Sequence, residues 1–123
     1  MKYPRLIVNL KKIRHNSAVI VEKCKEHGIG VVGVTKCCLG SPEIARSMVQ
    51  GGVKEIGDSR VENLKRLKNS GIKVELMSLR IPMLSEVSDI IDYSDSSLVS
   101  ELEVIKGLNK AAAKKDKKHK AEI

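Results

Sequence analysis

IGVVGVTK, residues 29–36, is an apolar, valine-rich run too short for a helix. It reads as a strand covered on both faces. Its glycines, Gly30 and Gly33, weaken it as an isolated strand and imply close approach by another part of the chain. The run ends on Lys36, a cation at the C-terminal tip of the most apolar strand.

Working outward, helix and strand alternate. Upstream, Arg5 to Val8 read as a short strand. Asn9 can cap a helix from Leu10 to about His27, with Leu10, Ile13, Ile20, Val21 and Cys24 on one face and Gly28 past its end. Downstream, Ser41 and Pro42 open a helix carrying Ile44, Ala45, Met48 and Val49, which stops at Gly51 and Gly52. Glu55 to Asp58 form a short strand. Ser59 with Glu62 has the spacing of a capping box, before a helix using Val61, Leu64 and Leu67 and stopped by Gly71. A strand runs from Lys73 to about Leu79, and Pro82 opens a short helix or turn to Val87. Asp89 to Tyr93 are expected as a fourth strand. Ser100 with Glu103 has the spacing of a second box, before a helix using Leu102, Ile105, Leu108 and Ala112. His119 to Ile123 look like a strand beginning.

Such alternation argues for parallel strands joined by helical crossovers in one domain. An open doubly wound sheet and a (β/α)₈ barrel both satisfy it. A barrel needs about 250 residues against the 123 present. The expectation is a partial (β/α)₈ TIM barrel: the first four strand–helix units plus the start of the fifth strand.

Composition narrows the function classes. The core is built almost wholly from Leu, Ile and Val; there is no Phe or Trp, and only Tyr3 and Tyr93 are aromatic, which argues against base-stacking modes of nucleic-acid binding. The net charge is +8, and residues 110–120 hold six lysines and one acid. That cluster reads as a solvated helix end rather than a nucleic-acid face. Cys24, Cys37 and Cys38 lack zinc-ligand spacing, and free thiols fit a reducing cytoplasm. No stretch reads as a signal peptide or membrane span.

Lys36 is the leading candidate for chemistry. Ligands bind at the C-terminal edge of parallel sheets in both candidate folds. An amine losing hydration there can condense with an aldehyde. Snorkelling out of the sheet edge is the alternative. Asp58, Arg60 and Arg80 lie at or just after strand ends and can face the pocket or form local contacts; Asp58 beside Arg60 is easily satisfied as a local pair. No phosphate-loop, dinucleotide or nucleophile-elbow motif occurs.

The segment VVGVTKCCLGSPEIARSMVQGGVKEIGDSRVENLKRL (residues 31–67), with PRLIVNLKKIRHN before it and LRIPMLSEV and SSLVSELEVI after it, resembles the alanine racemase N-terminal domain family. The resemblance is strongest to pyridoxal 5'-phosphate (PLP)-dependent ornithine and related amino-acid racemases. VTK, GDSR-x-ENL and SELE in register carry it over essentially the whole chain. It implies that residues 1–123 are the N-terminal half of a PLP-binding barrel, an N-terminal fragment of a usually homodimeric isomerase. Lys36 then matches the lysine that holds PLP. Arg60 and Arg80 would be contacts for the cofactor or a substrate carboxylate. The opposite-face acid or base would come from a later segment or the other subunit, and the phosphate-binding loops from later strands. The implied activity of the full-length parent is racemisation of a free amino acid, ornithine or alanine-like. A non-catalytic PLP-binding protein, an inactive fragment and a basic nucleic-acid-binding protein remain alternatives. Cys37 and Cys38 depart locally from the family pattern and read first as packing residues.

Overall fold

A computed structural model describes residues 3–123. Met1 and Lys2, which begin the segment read as carrying no signal peptide, lie outside the described residues. Five parallel strands, β1 (Val32–Val34), β2 (Glu55–Asp58), β3 (Glu75–Ser78), β4 (Ser96–Leu98) and β5 (Lys120–Glu122), lie side by side in chain order. A doubly wound sheet reverses its strand order at a switch point. This sheet does not, and its one-by-one order is that of an incomplete (β/α)₈ barrel.

Helices α2 (Pro42–Gln50), α3 (Val61–Asn69), α4 (Val87–Tyr93) and α5 (Leu102–Lys114) connect the strands, and α1 (Leu10–Lys25) precedes them. Local chemistry sets several ends. The Asn9 side chain accepts from the Lys12 amide at 3.0 Å, and Gly28 takes φ +68° beyond the helix end. Pro42 occupies the first turn of α2, behind Ser41 as N-cap. Past α2, Gly51 lets that helix approach α1 closely: a Cβ there would lie 2.6 Å from the Arg14 carbonyl.

Side chains alternate across the sheet. The outward layer, Gly33, Ile56 and Leu76, packs under the helices with Leu64, Leu67 and Ile90, and the large side chains among them are essentially fully buried. Gly33 leaves room there for Ile56 Cδ1 and Met48 Sδ, each of which a Cβ would meet at 2.9 Å and push aside. Gly30 meets nothing within 4 Å, so only one of the two expected close approaches is made. The inward layer holds Val32, Val34, Glu55, Gly57, Glu75, Met77, Ser96, Leu98 and Lys120. Val34 is 37% exposed and Leu98 is 40% exposed, so β1 is covered on one face rather than two.

Four further expectations change. Residues 5–8 lie outside every strand, with Leu6 90% exposed. Residues 89–93 belong to α4, not to a strand. Val87, Ile90 and Ile91 stand at helical spacing, and the two isoleucines are buried. The fourth strand is instead Ser96–Leu98, whose buried hydroxyls find partners: Ser96 with Glu55 at 3.3 Å and Ser97 with His119 at 2.7 Å. Neither expected capping box forms. Arg60 and Glu101 are the N-caps, without side-chain cap bonds. At α3, Asp58 does the polar work that Ser59 was expected to do.

Candidate active site

The C-terminal ends of the strands form one rim. Lys36 stands two residues past the end of β1, Asp58 is the last residue of β2, and Arg60 and Arg80 follow β2 and β3 by two residues. This is the rim on which α/β barrels place their reacting groups.

Around Lys36 the chain makes a 3-10 turn, Lys36–Cys38. Thr35, just before it, is fully buried. Its hydroxyl donates to Asp58 Oδ2 at 2.7 Å. Its carbonyl accepts from the Cys38 amide at 3.0 Å, the Gly40 amide at 3.1 Å and the Cys38 thiol at 3.2 Å. Leu39 and Gly40 follow at φ +54° and +62°. Gly40 lies against Asn63, where a Cβ would sit 2.7 Å from the Asn63 Cβ. The Arg66 guanidinium donates to the Leu39 carbonyl, tying the loop to α3.

Lys36 itself is exposed, and among the described residues no carboxylate pairs with its ammonium. The drying expected at this position is therefore not supplied by the chain's own residues. Burial pushes the Cys38 thiol above its ordinary pKa, which fits a packing role, while Cys37 is exposed.

Asp58 is fully buried, yet its partners are neutral donors. Besides Thr35, the Arg60 amide and Asn63 Nδ2 each donate to Oδ1 at 3.0 Å. The expected pairing with Arg60 is thus through the backbone, not the guanidinium. Arg60 is exposed at the rim. Arg80 is engaged elsewhere: its Nη2 donates to both Glu86 oxygens, at 2.8 and 3.0 Å, and Glu86 also accepts from the Met83 amide at 3.1 Å. Arg80 therefore braces its own loop, whereas Lys36, Asp58 and Arg60 are linked through Thr35 and backbone. Thr35, Asn63 and Arg66 were not singled out from the sequence, although Asn63 falls inside the quoted GDSR-x-ENL stretch.

The lysine cluster is partly spent within the chain. Lys115 and Lys117 both pair with Asp92, the latter at 3.1 Å, and their hydrogen bonds hold its carboxyl below the usual carboxylate range. Lys120 pairs with Glu75 at 3.0 Å. No described helix is long and apolar enough to cross a membrane.

Residues 8–123 match the family model described as alanine racemase, N-terminal domain. A lysine racemase of Thermotoga maritima is 42% identical over 106 residues, which cover 86% of this chain and 30% of the relative. An ornithine racemase of Acetoanaerobium sticklandii is 38% identical over 117 residues, 95% of this chain and 33% of the relative. Among solved structures, an alanine racemase from Streptomyces lavendulae superposes with a TM-score of 0.78 at 18% identity, covering 91% of this chain and 30% of the other. One from Clostridium difficile gives 0.76 at 18% identity, covering 89% and 30%. The chain thus spans about a third of the length of these relatives. Strand order, rim geometry and the match over residues 8–123 together place the chain in the alanine racemase N-terminal domain family.

Proposed function

We propose that this chain supplies the cofactor-holding strand end of a PLP-dependent amino-acid racemase, with Lys36 as the residue that holds PLP. The observation that carries the reading is an exposed, unpaired amine directly beyond β1, on a turn whose preceding residue is bonded through side chain and backbone. The donor set suits PLP: a primary amine for the aldehyde, and the Arg60 guanidinium on the same rim for an anionic group. Arg80 could join only by leaving Glu86.

When bound, PLP draws electrons from the amino-acid α-carbon and makes its proton labile. The Lys36 amine can then take and return that proton at Nζ on one face. Inversion also needs a group on the opposite face, expected from segments beyond this chain. Drying of Lys36 would come from the same segments. We take the substrate to be a free amino acid with an amine-bearing side chain, as the names of the 42% and 38% identical relatives indicate. The full-length protein is expected to be a cytoplasmic homodimer without nucleic-acid partners.

The test is borohydride reduction of the protein with PLP, followed by peptide mapping. Label concentrated on Lys36 and absent in Lys36→Ala supports the reading. Label spread evenly over surface lysines overturns it. Loss of optical rotation of L-ornithine, L-lysine or L-alanine by the full-length protein then reports turnover. Label at Lys36 without such loss indicates a PLP-binding protein rather than an enzyme.

A further inference from the structure

We infer that Asp58 is a positioning residue for Lys36, acting through Thr35. The inference rests on the reading of Lys36 as the PLP-holding lysine.

Asp58 is a fully buried acidic side chain with no cation among its hydrogen-bond partners. Burying such a group is costly unless its oxygens are satisfied, so the placement of each oxygen is informative. The two oxygens have separate tasks. Oδ1 takes the Arg60 amide and Asn63 Nδ2, closing the turn from β2 into α3. The start of α3 also favours negative charge there. That turn would be complete with Oδ1 alone.

Oδ2 reaches across to the neighbouring strand end and, among the described residues, receives only the Thr35 hydroxyl, at 2.7 Å. Thr35 has few other freedoms. Its amide donates to the Gly57 carbonyl at 3.1 Å, and its carbonyl gathers the Cys38 and Gly40 donors. Both backbone groups and the side chain of residue 35 are therefore fixed, while residue 36 emerges exposed. The Oδ2 bond holds the Thr35 side chain and ties the entry to the 3-10 turn to the end of β2. Positioning of a reacting group in this way matters because small misplacements are costly in rate.

Thr35→Val separates the two tasks, since it removes the Oδ2 partner and leaves the Oδ1 bonds in place. Asp58→Asn and the conservative Thr35→Ser complete the set. The readout is the rate of borohydride-trapped PLP at Lys36, divided by that at Lys12 and Lys73 in the same digest. Loss of fold would also bring this ratio towards one, so circular dichroism checks each variant and only folded variants are scored. We expect Thr35→Val to lower the ratio about tenfold, Asp58→Asn to lower it less because its Nδ2 can donate to the Thr35 hydroxyl oxygen, and Thr35→Ser to stay within about twofold of wild type. If Asp58→Asn does not fold, Thr35→Val decides. A wild-type ratio well above one that is unchanged in folded Thr35→Val overturns the positioning role but leaves Lys36 as the PLP residue. A wild-type ratio near one overturns the reading of Lys36 itself. In that case, amide exchange at Cys38 and Gly40 still tests the clamp: faster exchange in Thr35→Val supports it, and unchanged exchange overturns it.

Discussion

The two layers of this sheet differ sharply. On the helix side, Ile56, Leu76, Leu64 and Leu67 are fully buried by the chain's own elements. On the other side, Val34 and Leu98 stay open to solvent beside Glu55, Glu75 and Lys120. In a closed barrel, side chains from opposite strands fill that space. The helix-side layer is thus self-sufficient, whereas the inward layer, although Met77 is buried, has apolar surface at Val34 and Leu98 that the described residues do not cover. Stability should come almost wholly from the first.

The strongest way to break this contrast is to empty the helix-side layer. Leu76→Ala should cost about 2–5 kcal/mol in urea denaturation. Leu98→Ala on the inward layer should cost under about 1 kcal/mol by the same measurement, as expected for an exposed site. Equal losses would show that the inward layer is packed in solution, by self-association or otherwise.

A second pair sharpens the comparison within one strand region. Gly33→Ala drives a methyl into Ile56 and Met48 and should cost about 1–3 kcal/mol. Gly30→Ala meets open space and should be neutral or slightly stabilising, by about 0.5 kcal/mol. A third pair weighs the helix starts. Asn9→Ala should cost about 1 kcal/mol in a thermal melt, while Ser59→Ala, which loses no cap bond, should lie within about 0.5 kcal/mol of wild type.

The smallest effect expected is at the β5 edge. Burial pushes the pKa of His119 below its ordinary 6.5, with the Ser94 carbonyl and Asp95 pulling more weakly the other way. The folded state therefore resists the proton that the unfolded chain accepts. Stability from this group is fully present above pH 6.5, falls as pH drops towards the folded value, and then levels off. Denaturation midpoints across that window should show a step down towards low pH that His119→Gln lacks; an unchanged profile would place His119 in water.

Much of the fold could be read from the residues, for identifiable reasons. EIGD, residues 55–58, was expected as a strand and is one residue for residue, because Gly51 and Gly52 close the helix before it and the polar SR pair opens the next. Ser96–Leu98 escaped notice because two buried serines carry no hydrophobic signal, and IIDY beside them looked like a strand although Val87, Ile90 and Ile91 serve a helix. At the site, Lys36 stood out because a charge ends an apolar run. Thr35 did not, since one hydroxyl in such a run gives no hint of a partner 23 residues away. The Arg80–Glu86 bond was likewise hidden, because six residues separate the pair across a loop whose shape hydropathy does not reveal.

Gly51 has a wider consequence. α1 is sixteen residues long and has no buried residue, unlike α2 to α5. Its seat depends on a hydrogen atom in place of a side chain, with the Arg14 carbonyl 2.6 Å from where a Cβ would stand. It is therefore the α-helix cheapest to peel away, and limited proteolysis should nick the first 25 residues while the sheet behind them survives.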